Sequence, residues 1–175
     1  IEAALFALGV LSIGAVVSTA SPDFGPIGLV DRFGQIEPVV LMLASGYAYG
    51  GRPIDCLARL PEILGGLPSV TTVIVVGDEA GGHVQWEDWL APHRGLPLEP
   101  VPVPFAHPGF ILFSSGTTGR PKCIVHSAAG VLLKVLSEQA FHLDIRNGDR
   151  AMYFTTCGWM MWNWLLCGLG RRATV

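Results

Sequence analysis

Between Phe110 and His126 the chain reads Phe-Ile-Leu-Phe-Ser-Ser-Gly-Thr-Thr-Gly-Arg-Pro-Lys-Cys-Ile-Val-His. The run from Phe110 to Phe113 has the length and aromatic content of a buried strand, and Ile124 and Val125 open a second. The link between them is too polar and too rich in glycine to be core. Gly116 and Gly119 let the backbone turn and bring its N–H groups close to a ligand. The hydroxyls of Ser114, Ser115, Thr117 and Thr118 donate hydrogen bonds without adding charge, and Lys122 supplies a mobile positive charge. Successive amides in a turn form an anion-binding concavity, and hydrogen bonds to an ionised partner are about twice as strong as neutral ones. Such a link suits a phosphate; a polar hairpin loop on the surface is the alternative. It is not a Walker loop, because that motif ends in Gly-Lys-Ser/Thr, whereas here Lys122 lies between Pro121 and Cys123.

The rest of the chain supplies the scaffold. Half of the 175 residues are hydrophobic and 14% are charged, so a sizeable core is expected and disorder is not. A net charge of −3 with no basic run argues against a nucleic-acid partner. The pair Arg171–Arg172 is expected to be solvated. Cysteines at 56, 123, 157 and 167 form no Cys-x-x-Cys motif, and no histidine cluster has ligand spacing, so no metal site is expected. Free thiols in a reducing, cytoplasmic compartment fit this usage.

Ile1 to Ala20 is almost wholly apolar and close to the ~20 residues that span a bilayer. No positive charge precedes it, however, and Gly9, Ser12, Gly14 and Ser18 interrupt it. The pattern predicts a helix ending near Ser12, a cap at Gly14 and a short buried strand from Ala15 to Ser18. A helix is predicted over Ile27 to Ile36, a strand over Val39 to Leu43, a loop over Tyr47 to Arg52, and a helix from Leu57 to Leu64 closed by Gly65 and Gly66. Val73 to Val76 reads as a buried parallel strand. Trp86 and Trp89 share one helical face as packing residues. Pro92 to Pro108 is expected as an extended connector whose flanks belong to one sheet. Val131 to Phe141 reads as a helix and Ala151 to Phe154 as a strand. Alternating helices and apolar strands imply an α/β fold, a largely parallel sheet flanked by helices. Ligands in such sheets sit beyond the carboxyl ends of strands. The glycine-rich loop and the stretch Thr155 to Trp159 both follow strand-like runs and so are expected to face one crevice.

Ser-Ser-Gly-Thr-Thr-Gly-Arg-Pro-Lys122 resembles the phosphate loop of the acyl-adenylate-forming superfamily of acyl-CoA synthetases and luciferase-like enzymes. Most of that superfamily carries glycine where this chain has Cys123. The longer runs Lys122 to Ser127 and Tyr153 to Trp164, with Ser21 to Gly25 and Asp31 to Pro38, are similar to the acetoacetyl-CoA synthetase branch. The resemblance covers nearly the whole chain. It implies that residues 1–175 form part of an N-terminal AMP-binding domain, with the C-terminal domain and its catalytic lysine outside the chain.

The resemblance implies a reaction in two halves. A carboxylate, acetoacetate, attacks the α-phosphorus of ATP to give an acyl-adenylate and pyrophosphate; coenzyme A then displaces AMP. It implies that Ser114, Ser115, Gly116, Thr117, Thr118, Gly119 and Lys122 bind the ATP phosphates, with Mg2+ sharing the neutralisation. It also implies that Gly158, Trp159, Met160 and Met161 border the acyl group and the pantetheine tunnel. The alternative for Trp159 to Met161 is a buried aromatic cluster with Trp162 and Trp164. Gly51 and Arg52 match part of a coenzyme-A-binding run; a solvated loop arginine is the alternative. His126 is expected to be structural.

Overall fold

The computed structural model describes residues 1–115, 117 and 119–175. Along the chain these form α1 (Glu2–Ser12), β1 (Val17–Ser18), α2 (Gly25–Phe33), β2 (Val40–Ala44), β3 (Gly46–Tyr49), β4 (Arg52–Asp55) and α3 (Leu60–Gly65). They continue as β5 (Thr72–Val76), β6 (Val84–Gln85), α4 (Trp86–Leu90), β7 (Pro108–Phe113), β8 (Cys123–Ser127), α5 (Ala128–Phe141) and α6 (Met160–Leu166). The chain divides into two compact units, one of residues 1–21 with 99–175, the other of residues 22–98.

In the first unit the strand order is β1-β7-β8. β1 runs parallel to β7, with Val17 opposite Phe110 and Ser18 opposite Ile111. β8 returns antiparallel, with Phe113 opposite Cys123. The core is Ala7, Val17, Phe110 and Leu166, with Val131 and Trp162 packed against it. The apolar N-terminal segment thus breaks after Ser12, at Gly14, while Gly9 stays within α1. α1 is 11 residues long, and Gly14 takes a φ of 73° that favours glycine. No helix among the described residues is long and apolar enough to cross a membrane.

The proline-rich stretch enters this unit at Glu99. Val101 N–H donates to Ser12 O at 2.8 Å and the His107 ring to Gly14 O at 2.7 Å. Its flanking strands belong to different sheets, not to one: β5 lies with β2 and β6, whereas β7 lies with β1 and β8. α5 and α6 are tied by Gln139, whose side-chain amide donates to Trp164 O at 2.8 Å.

The strand expected over Ala151 to Phe154 does not form. Only Arg150 bridges to Thr174, with Ala151 N–H donating to Thr174 O at 2.8 Å. A strand needs a ladder partner alongside, and Met152 and Phe154 instead stand 79% and 90% exposed. Nor is Arg171 merely solvated. Its Nε and Nη2 both donate to Ile145 O, at 3.1 and 3.0 Å.

The second unit is built on the parallel order β2-β5-β6, with Leu41 to Ala44 opposite Val73 to Val76. Leu60, Val73 and Val75 are its buried centre, lined by Leu41, Leu43 and Leu57. Trp86 is buried and its ring lies 5.5 Å from that of Trp89, as the three-residue spacing predicts. Tyr47 to Arg52 is not a loop but most of an antiparallel hairpin, β3 with β4, in which Tyr49 lies opposite Arg52. Its turn is Gly50–Gly51, with φ of 57° and 74°. Positive φ at both central residues is what a two-residue turn of type I′ demands, and glycine meets it without strain.

Candidate functional site

The glycine-rich link springs from the carboxyl end of β7. β1 runs parallel to β7, so the chain leaves both strands on the same edge of the sheet. Two hydrogen bonds close the base of the link. Ser114 N–H donates to Lys122 O at 3.0 Å, and Lys122 N–H donates to Ser114 Oγ at 2.9 Å. Above this neck Ser115, Thr117, Gly119 and Lys122 are exposed, while Pro121 is buried. Gly119 has a φ of 145°, and no heavy atom lies within 4 Å of where a Cβ would sit. A ligand therefore has room to approach its backbone. Gly116 and Thr118, the other two residues expected to bind phosphate, lie outside the described residues. Ser114 differs from its neighbours, because its hydroxyl oxygen is engaged in the neck.

The stretch after β1 and the stretch Thr155 to Trp159 meet at this same edge. Ser18 Oγ donates to Ile111 O at 2.8 Å, and Thr19 Oγ1 donates to Cys157 O at 2.5 Å. Trp159 N–H closes a turn onto Thr156 O at 3.2 Å. An open hollow of about 320 Å3 lies there, lined by Tyr153, Phe154, Thr155, Thr156, Trp159 and Met161.

The two readings of the tryptophan-rich segment divide by residue. Trp164 is 7% exposed and Trp162 packs on the core, so these two are structural. Trp159, which precedes α6, is 54% exposed and Met160 is 41% exposed. Neither is core, and Trp159 with Met161 faces the hollow. Gly158 sits half-buried in the turn.

Gly51 and Arg52 belong to the other unit, at the tip of the β3–β4 hairpin, with Arg52 exposed. The turn geometry alone accounts for Gly51. His126 pairs with Phe110 across the sheet, and its Nδ1 is buried without a partner among the described residues.

Burial pushes the thiols of Cys157 and Cys167 up, Cys167 to about 11, so neither is an activated nucleophile. Among the described residues no three His, Cys, Asp or Glu side chains gather as a metal site, so no step is assigned to magnesium. The described residues show an exposed link closed at its base by Ser114 and Lys122, and an open hollow lined in part by apolar side chains.

A family model described as AMP-binding enzyme matches residues 1–175. The chain belongs to the AMP-binding enzyme family. Within the family it is 47% identical to the acetoacetyl-coenzyme A synthetase of Rhizobium meliloti (strain 1021), over 96% of this chain and 27% of that protein. It is 42% identical to the malonamoyl-CoA synthetase of Penicillium aethiopicum, over 96% of this chain and 25% of that protein. A solved structure, the acetoacetyl-CoA synthetase of Streptomyces lividans, superposes with a TM-score of 0.92 at 39% identity. That match covers 99% of this chain and 27% of the solved one. The chain thus spans about a quarter of the length of these relatives.

Thr19 is the residue that sequence reasoning missed. Its partner lies 138 positions away, and its only local signal is a hydroxyl pair, Ser18–Thr19, at the end of a short apolar strand.

Proposed function

We propose that the chain is part of the N-terminal domain of an acid–thiol ligase acting on acetoacetate. The acetoacetate carboxylate attacks the α-phosphorus of ATP and pyrophosphate leaves. The thiol of coenzyme A then attacks the acyl carbon of the adenylate and AMP leaves. The observation that carries the reading is the loop held by its Ser114–Lys122 neck at the carboxyl edge of β7. A polyphosphate needs donors fixed before it arrives, since preorganised donors neutralise charge without reorganising. Lys122 contributes the point charge, and Ser115, Gly116, Thr117, Thr118 and Gly119 the neutral donors. Mg2+ would share that neutralisation through residues beyond those described.

In this reading Trp159 and Met161 wall the acyl group, with Gly158 and Met160 beside them, and Arg52 and Gly51 meet coenzyme A. A second acid is suggested by the malonamoyl-CoA synthetase relative. Malonamate and acetoacetate share one skeleton, a carboxylate two bonds from a carbonyl, and differ in an amide against a methyl. Trp159 and Met161 offer apolar surface to the methyl, while Tyr153, Thr155 and Thr156 in the same lining carry hydroxyls suited to an amide. The reading places the enzyme in the cytoplasm, in keeping with four free thiols.

The deciding measurement is acid-dependent exchange of pyrophosphate into ATP by the full-length polypeptide, with acetoacetate, malonamate and acetate in parallel. Acetoacetate is expected to give the highest kcat/KM. No exchange with acetoacetate would overturn the proposal. The 175-residue chain alone is expected to give none with any acid, since the catalytic lysine implied by the family resemblance is not in it.

A further inference from the structure

We infer that Thr19 is a positioning residue for the acyl pocket, acting through the Cys157–Gly158 peptide; the inference rests on the function proposed above. Its hydroxyl donates to Cys157 O at 2.5 Å from the first position beyond β1. That position is itself held. Ser18 Oγ donates to Ile111 O, which fastens the end of β1 to β7. The anchor therefore rests on the same sheet that launches the glycine-rich loop.

Cys157 and Gly158 are the two central residues of the turn closed by Trp159 N–H onto Thr156 O. The described peptide bonds are all trans. In a trans peptide the carbonyl and the following N–H point in opposite directions. Holding Cys157 O toward Thr19 therefore aims Gly158 N–H to the other side of the turn and prevents the peptide plane from flipping. The far end of the segment is fixed as well, because Asn163, Trp164 and Leu166 of α6 are buried. Between these two fixed points stands Trp159, extended at φ −122° and ψ 149° and half exposed to the hollow. The Thr19 hydroxyl thus ties the turn to the sheet and sets where the Trp159 ring stands.

The test compares Thr19→Val, Thr19→Ser and Thr19→Ala in the full-length enzyme, reading kcat and KM for acetoacetate and for ATP separately. Valine keeps the shape and removes the donor. It is expected to raise KM for acetoacetate about tenfold while KM for ATP stays within about twofold, since small misplacements of a binding wall are costly. Serine keeps the donor and is expected to restore the acetoacetate KM to within about twofold. Alanine leaves room for a water on the Cys157 carbonyl and is expected to give a smaller rise; it carries the test if the valine variant does not fold. An unchanged acetoacetate KM in the valine and alanine variants overturns the inference. So does an equal rise in both KM values, or a serine variant as impaired as valine. Wild-type enzyme without acetoacetate-dependent exchange overturns instead the function on which the role depends.

Discussion

Ser114 and Lys122, eight positions apart, hold each other by two hydrogen bonds: Lys122 N–H to Ser114 Oγ at 2.9 Å and Ser114 N–H to Lys122 O at 3.0 Å. Only the first depends on a side chain. Ser114→Ala should therefore loosen the neck without unpairing β7 from β8. One neutral hydrogen bond contributes about 1 kcal/mol, so KM for ATP should rise about fivefold with KM for acetoacetate nearly unchanged. Steady-state kinetics of the full-length enzyme check this.

Trp159 and Trp164 should separate cleanly on truncation. Trp164 is 7% exposed and its ring meets that of Tyr153 at 6.2 Å. Trp164→Ala should cost about 3–5 kcal/mol in chemical denaturation. Trp159 is half exposed, so Trp159→Ala should cost less than about 1 kcal/mol and raise KM for acetoacetate instead.

Gly109 lies at a register shift in β7, between Pro108 and Phe110. A Cβ there would stand 2.7 Å from Ala128 Cβ and 2.8 Å from its Cα. Neither atom can swing away, since both are fixed to the start of α5. Gly109→Ala should destabilise by about 1–3 kcal/mol through overpacking. Gly168→Ala should be milder, because the close atom is Val175 Cγ1, the tip of a side chain, at 2.9 Å. Denaturation midpoints of the two variants compare them directly.

Alkali should weaken the fold through its buried thiols. Burial raises Cys167 from 9.0 to about 11, and raises Cys56 and Cys157 in the same direction. A folded-state pKa above the unfolded one means that the contribution is intact below pH 9 and is lost as pH rises towards about 11. Cys167→Ala should flatten that part of the denaturation midpoint against pH. Exposed Cys123 should react with iodoacetamide before half-buried Cys167, as peptide mass mapping would read.

Much of the loop's surroundings was legible because apolar runs and glycine breaks are local signals. Phe110 to Phe113 and Ile124 to Val125 become β7 and β8, and the interruptions at Ser12 and Gly14 end α1 as predicted. The β3–β4 hairpin was readable too, since Gly50–Gly51 sits between alternating residues, but its two strands of four residues are short enough to pass for a loop. Met152 to Phe154 misled in the opposite direction. Residue type favoured a strand, yet a strand exists only beside a partner, and none among the described residues lies along it. The difference between Trp159 and Trp164 depends on where α6 begins, and Thr19 depends on a partner 138 positions away. Neither is encoded in any local window.

Met152, Tyr153 and Phe154 stand side by side in water, 79%, 48% and 90% exposed, with backbone outside any ladder. Ala151 to Cys157 carries no charge and no proline, the makeup of segments that stack as identical copies. Concentrating the 175-residue chain should thus be limited by these seven positions, and not by its net charge of −3. A single lysine in place of Phe154 would serve as a gatekeeper and raise the concentration at which the preparation clouds.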